Sequence, residues 1–238
     1  EFDEEFVLFH ENVQFFILLE IDGGTYIEAK DPRWEVFLLY EKQNIDGTDY
    51  QHLIGYCTAY RFYAFPDSFR LRISQFLLFP PYQKCGHGRR LLQGIYDNAI
   101  SRGARDIPVE DPAPEFGRLR DMVDLMNLIE DNVFNTSQKE LSKELLNQII
   151  EKRRLWKRQI RRCFEIFRLS NTNKFNEQEY KEYRVYVKKR LVSQNREHLE
   201  LFEKGDDRKA ELHRMYTELE TQYQQIIDKL KQQNKILN

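Results

Sequence analysis

Apolar residues follow two different rhythms along this chain. Over roughly the first third they come in short runs rich in aromatic and β-branched side chains, at 14–19, 36–40, 53–60 and 71–79. Runs of that length flanked by turn formers predict β-strands joined by hairpins, and the turn-like stretch Asn44-Ile45-Asp46-Gly47 follows the second. After Gly88 the rhythm changes. Leu91, Leu92, Ile95, Tyr96 and Ala99 recur at helical spacing, and the run closes at Gly103. Ile107-Pro108-Val109 predicts one more short strand, leading into Glu110-Asp111-Pro112. Beyond it, the spacing predicts helices over about 115–130, 137–169, 176–192 and 208–235. Thr136-Ser137 before Glu140 and Asn176 before Glu179 are expected to cap helix starts. The last helix carries Leu212, Met215, Tyr216, Leu219, Tyr223, Ile226, Ile227 and Leu230, a stripe expected to pack on its own domain.

Punctuation divides the chain in the same way. All seven prolines lie at or before Pro114, and eight of the ten glycines lie at or before Gly103. A segment that turns often, followed by one that hardly turns, predicts an α+β protein: a sheet with loops, then long helices.

Charge narrows the possible partners. The 37 basic and 39 acidic side chains nearly cancel, so no global basic field points to nucleic acid. The basic run from Lys152-Arg153-Arg154 to Arg161-Arg162 is interrupted at helical spacing by Leu155, Trp156, Ile160 and Phe164, which predicts an amphipathic helix with a charged outer face. Cys57, Cys85 and Cys163 give neither a disulfide framework nor a zinc spacing, so a reducing compartment is expected. The longest apolar run is too short to cross a bilayer. Asp3, Glu4 and Glu5 stand where a signal peptide would be positive. The chain opens on Glu1 rather than Met, and a preceding amino-terminal part is expected.

The most informative segment runs from Arg72-Ile73-Ser74-Gln75-Phe76-Leu77-Leu78-Phe79 through Pro80-Pro81-Tyr82-Gln83-Lys84-Cys85-Gly86-His87-Gly88 to Arg89-Arg90-Leu91-Leu92. A buried strand stops at two prolines, a two-glycine loop follows, and a helix begins. The free N–H groups and dipole of a helix start form an anion site. Glycines let that backbone approach a diphosphate. The loop lacks the Gly-Lys-Ser/Thr of a Walker sequence and the third glycine of a dinucleotide fingerprint. Gln83, Gly86 and Gly88 instead fill the pattern Gln/Arg-x-x-Gly-x-Gly/Ala, which resembles the coenzyme A pyrophosphate motif of the GNAT acetyltransferases.

The resemblance extends further. Asp31-Pro32-Arg33-Trp34, Gly55-Tyr56, 60–67, Arg72-Ile73-Ser74-Gln75, Gly86-His87-Gly88, Glu110-Asp111-Pro112 and Leu119-Arg120-Asp121 occur in an order that resembles the type B histone acetyltransferase catalytic subunits. It continues more weakly through 179–184 and 188–191. This implies a GNAT-type mixed, mostly antiparallel sheet flanked by helices. Residues 1–117 would form the acetyl-coenzyme A-binding catalytic domain, and residues 118–238 an all-helical domain. Family members carry a further domain before this region.

The resemblance also implies an activity: histone lysine N-acetyltransferase, acting on the amino-terminal tail of newly made histone H4, in nucleus and cytoplasm. It implies acetyl-coenzyme A as donor and no metal. The implied partners are the H4 tail and a WD40-repeat histone chaperone, with no direct nucleic acid and no membrane. Glu110 is the implied general base and Asp111 a second acidic group. A third carboxylate maps to Asp22, where the family prefers Glu, roughly 1.5 Å longer in reach. Coenzyme contacts carry over to Phe76, Leu77, Leu78, Gln83, Lys84, Cys85, Gly86, His87, Gly88 and Arg89. Cys85 is read as a backbone contributor, and His87 as a loop or capping residue. Peptide contacts carry over to Trp34, Tyr60, Arg61 and Phe62, with Trp34 reading equally well as a packing residue.

Overall fold

The computed structural model describes residues 3–232. Helix α1 (Glu4–Glu20) starts at Asp3, whose carboxylate accepts from the Phe6 N–H at 2.6 Å. This corrects the strand expected at 14–19. Only His10, Val13, Gln14 and Ile17 of α1 are buried, while Phe15, Phe16, Leu18 and Leu19 stay exposed. A helix apolar on both sides shows no 3.6-residue rhythm, and its run of large apolar residues imitates a strand.

Strands β1 (Trp34–Ile45), β2 (Thr48–Ala64) and β3 (Ser68–Leu78) form an antiparallel sheet in the order β1-β2-β3. A short segment then runs parallel along the outer edge of β3. Leu71 N–H donates to the Asp106 carbonyl at 3.2 Å, Ile73 N–H to the Pro108 carbonyl at 2.9 Å, and Glu110 N–H to the Ile73 carbonyl at 2.9 Å. The sheet is therefore mixed and mostly antiparallel, as expected.

Helix α2 (His87–Ser101) covers one face of the sheet. Its Leu91, Leu92, Ile95 and Ala99 pack on Cys57, Ala59, Leu71 and Ile73. Helix α1 covers the other face, where Val13 and Ile17 meet Tyr56 and Leu77. Successive strand residues point to opposite faces, so the covered middle of the sheet, as at Leu53–Ala59 of β2, serves both layers and carries apolar residues at nearly every position, while the hairpin end at 41–51 is largely polar and exposed.

Helices α3 (Pro114–Glu130), α4 (Lys143–Arg153), α5 (Lys157–Asn171), α6 (Glu177–Gln194), α7 (Arg196–Glu200) and α8 (Gly205–Gln232) make up the rest. The single helix expected over 137–169 is two helices, because Arg154 takes φ +57° and ends α4. The expected cap at Thr136-Ser137 is also displaced: Ser142 Oγ accepts from Leu145 N–H at 3.1 Å. Asn176 caps α6 as expected, accepting from Glu179 N–H at 3.3 Å. Of the expected stripe, Tyr216, Leu219, Tyr223, Ile226, Ile227 and Leu230 are buried on α8; the end of the expected helix, 233–235, lies outside the described residues.

The chain divides into two compact units. One is the chain up to Val123 together with Ile149–Trp156; the other is Asp124–Gln148 and the chain from Lys157. Among the described residues, no helix is long and apolar enough to cross a membrane.

Candidate active site

The loop after β3 is built to expose a helix start. Phe79 N–H donates to the Ile54 carbonyl at 2.9 Å, so the sheet holds the strand to its last residues. A 3₁₀ turn follows at Pro80–Tyr82, where proline fixes the backbone. Gln83 folds back, donating from Nε2 to the Leu78 carbonyl at 3.0 Å. Lys84 then takes φ +62°. Gly86 sits at φ +87°, ψ −1°, and no side chain caps the first turn of α2.

The two glycines have different reasons to be glycine. A Cβ at Gly86 would meet open space, so its requirement is the left-handed backbone. A Cβ at Gly88 would come within 3.1 Å of Leu119 Cδ2 and 3.2 Å of Leu78 Cδ1, so its requirement is close packing of α2. Open space above a left-handed turn, beside uncapped helical N–H groups, fits a pyrophosphate. His87 is half-buried, its ring centroid 6.3 Å from that of Tyr82 and edge-on to it. Cys85 is exposed, and its Sγ donates to the Gln83 carbonyl at 3.3 Å.

Strand β3 changes character at Ser74. Thr58 faces Gln75 and Ala59 faces Ile73, which leaves Ser74 as an extra, unopposed residue. This bulge reverses the alternation. Leu71 and Ile73 point towards α2, and after the bulge so do Phe76 and Leu78, while Leu77 points towards α1. Phe76 packs edge-on to Phe116 with centroids 4.9 Å apart. The parallel pairing on the outer edge ends at the Glu110 N–H to Ile73 carbonyl bond, level with the bulge. Among the described residues no strand pairs with that edge beyond it. The strand–loop–helix unit thus offers an unpaired strand edge running into an uncapped helix.

Glu110 stands where the edge becomes free. Ser74 Oγ donates to its Oε2 at 2.7 Å, and the Arg72 guanidinium pairs with its Oε1 at 3.1 Å. Asp111, at φ +32°, is exposed. From Arg72 a strip of contacts leads away along the sheet. Its guanidinium lies over the Phe62 ring at 4.7 Å; Phe62 and Tyr60 have centroids 4.7 Å apart; Tyr60 and Trp34 meet edge-on at 4.9 Å. Tyr60 Oη donates to Asp31 at 3.0 Å, and Asp31 takes a forked bond from Arg33, which itself lies over the Tyr60 ring. The Arg33 fork holds the Asp31 carboxyl well below the usual carboxylate range. Trp34 therefore packs within a half-exposed aromatic strip. Arg61 is exposed, with its N–H donating to the Arg33 carbonyl at 2.9 Å.

Asp22 lies in the exposed turn after α1, and among the described residues no hydrogen bond or ion pair joins it to Glu110 or Asp111. The loop it begins is nonetheless fixed. Buried Gln75 donates from Nε2 to the Thr25 carbonyl at 2.6 Å and accepts from Thr58 Oγ1 at 3.0 Å, and Gln14 Oε1 accepts from Ile27 N–H at 2.7 Å. The sequence singled out Glu110 and the aromatics but not Arg72, Ser74, Asp31 or Gln75 as groups that hold them. Its signal was the adjacent polar pair Ser74-Gln75 inside an apolar strand, which marks a bulge.

A sheet whose outer strand runs into such a turn defines the GNAT acetyltransferase class, and the acetyltransferase (GNAT) family model matches residues 8–112. The model described as histone acetyltransferase type B catalytic subunit, C-terminal, matches residues 120–169. Relatives described as histone acetyltransferase type B catalytic subunits include one of Dictyostelium discoideum, 38% identical over 222 residues, covering 88% of this chain and 45% of that protein. One of Mycosarcoma maydis is 38% identical over 208 residues, covering 84% of this chain and 46% of the relative. One of Homo sapiens is 34% identical over 189 residues, covering 78% and 45%. The chain belongs to the family of type B histone acetyltransferase catalytic subunits, and it spans about half the length of these curated relatives.

Proposed function

We propose that this chain transfers acetyl from acetyl-coenzyme A to lysine side chains in the amino-terminal tail of newly made histone H4. The observation that carries this reading is the position of Glu110, at the last hydrogen bond of an edge that then runs unpaired into the uncapped helix start of α2. The backbone of Gln83, Lys84, Cys85, Gly86, His87, Gly88 and Arg89 would hold the pyrophosphate of the coenzyme, and the edge of Phe76, Leu77 and Leu78 its pantetheine arm. Acetyl-coenzyme A supplies the activated acyl group. No metal takes part in this reading.

A lysine amine, with an ordinary pKa of ~10.4, is mostly protonated at neutral pH and must lose its proton to attack. Glu110 accepts that proton, directly or through water. Backbone N–H groups of the β3 edge are suited to the charge that develops on the acetyl oxygen. Asp111 and Asp22 add negative charge for a basic peptide. Trp34, Tyr60, Arg61 and Phe62 offer a surface along which the tail would lie. Residues 1–117 constitute the catalytic domain in this reading, with 118–238 as its helical companion. A WD40-repeat histone chaperone is the proposed protein partner, and nucleus and cytoplasm the proposed locations.

The test is mass spectrometry of an H4 tail peptide incubated with the chain and acetyl-coenzyme A. Acetylated lysine is expected, with the rate falling about a hundredfold or more in Glu110→Gln. Equal turnover of a polyamine and the peptide would overturn the assigned substrate, and an undiminished rate in Glu110→Gln the assigned base.

A further inference from the structure

We propose that Arg72 and Ser74 are positioning residues for acetyl transfer, holding the Glu110 carboxylate by both oxygens at the point where the β3 edge opens. The proposal rests on Glu110 being the base.

The geometry is specific. Ser74 Oγ reaches Oε2 at 2.7 Å and Arg72 reaches Oε1 at 3.1 Å, while the Glu110 N–H is tied to the Ile73 carbonyl at 2.9 Å. Backbone and both carboxylate oxygens are thus referred to three consecutive residues of one strand. A glutamate otherwise has three rotatable bonds, and a base must stay within hydrogen-bond reach of its proton. A carboxylate has about four acceptor directions. Two are used here, which leaves two for an amine or a bridging water.

Stability does not account for the arrangement. The Arg72 and Glu110 side chains are 32% and 39% exposed, and ion pairs so exposed add little to folding. The bulge explains why Ser74 is available. As the unopposed residue of β3 it lies level with Glu110, whereas its neighbours Ile73 and Gln75 are committed to the two cores. Arg72 is held in turn, its guanidinium 4.7 Å over the Phe62 ring. The aromatic strip and the base therefore share one side chain.

Steady-state kinetics of the whole chain with an H4 tail peptide test this. Ser74→Ala, Arg72→Gln and Arg72→Lys are made singly and in the Glu110→Gln background. The single variants Ser74→Ala and Arg72→Gln are expected to lose about ten- to a hundredfold in kcat with KM for acetyl-coenzyme A unchanged, and Arg72→Lys to recover part of the loss. In the Glu110→Gln background the same changes should alter the rate less than about twofold, because they act through the carboxylate. Losses that multiply in that background, or wild-type kcat in Ser74→Ala and Arg72→Gln beside an impaired Glu110→Gln, overturn this proposal alone. Full activity of Glu110→Gln overturns the base itself. If Arg72→Gln does not fold, the Ser74→Ala pair decides.

Discussion

A Cβ on Gly55 would collide with the carbonyl oxygen of Leu77 and lie 2.9 Å from the Leu78 Cα. The central strand therefore has room only for glycine where it faces the strand end proposed to hold the coenzyme. Gly55→Ala must displace backbone rather than a side-chain tip. A loss of about 1–3 kcal/mol is expected, read as a lower urea midpoint, with a higher Kd for acetyl-coenzyme A by calorimetry.

The two loop glycines should fail differently. Gly86→Asn, which tolerates the left-handed region, should bind coenzyme better than Gly86→Val, whose branched Cβ does not. The stability cost of the Val variant should be about 1–2 kcal/mol. Gly88→Ala meets only the ends of Leu78 and Leu119, which can yield by tenths of an ångström. It should fold almost normally, with a modest rise in Kd.

His10 predicts a pH dependence of stability. It is 1% exposed, neither ring nitrogen has a hydrogen-bond partner, and it stacks on Phe6 and stands edge-on to Tyr56. Burial lowers its pKa from the ordinary 6.5, against a smaller opposing pull from Glu11. The unfolded chain therefore takes up the proton first. Stability present above pH 6.5 is lost as pH falls below it. His10→Leu should flatten that decline, seen as urea midpoints that differ less between pH 7.5 and 5.5 than in the wild type.

In the helical unit, Arg190 forks onto Glu165 at 2.6 and 2.7 Å, and Tyr223 Oη donates to the same carboxylate at 2.9 Å. Glu165 is 1% exposed. Glu165→Ala strands a cation and should lose about 3–5 kcal/mol, whereas Glu165→Leu with Arg190→Met should recover most of it. Thermal denaturation of the three proteins checks this.

What the sequence revealed follows from what is local. Strands β1 to β3 were legible because their aromatic and β-branched runs end at turn formers, and α2 because Leu91, Leu92 and Ile95 keep helical spacing on one covered face. Helix α1 was not, since Phe15, Phe16, Leu18 and Leu19 give it apolar residues on its open side as well. The break at Arg154 was hidden because no glycine or proline marks its left-handed backbone. Glu110 was found only by likeness to a family. Its contacts with Arg72 and Ser74 span 36 residues or more of chain and arise from a parallel pairing that no periodicity encodes.

The unopposed residue in β3 also constrains how this strand can change over evolutionary time. Leu71 and Ile73 before it and Phe76 and Leu78 after it all face the layer under α2, so a substitution at any one of them disturbs only its own contacts there. A single-codon deletion there is another matter: it would turn Phe76, Leu77 and Leu78 inside out in one step. Length at this position should therefore be far less tolerant than identity.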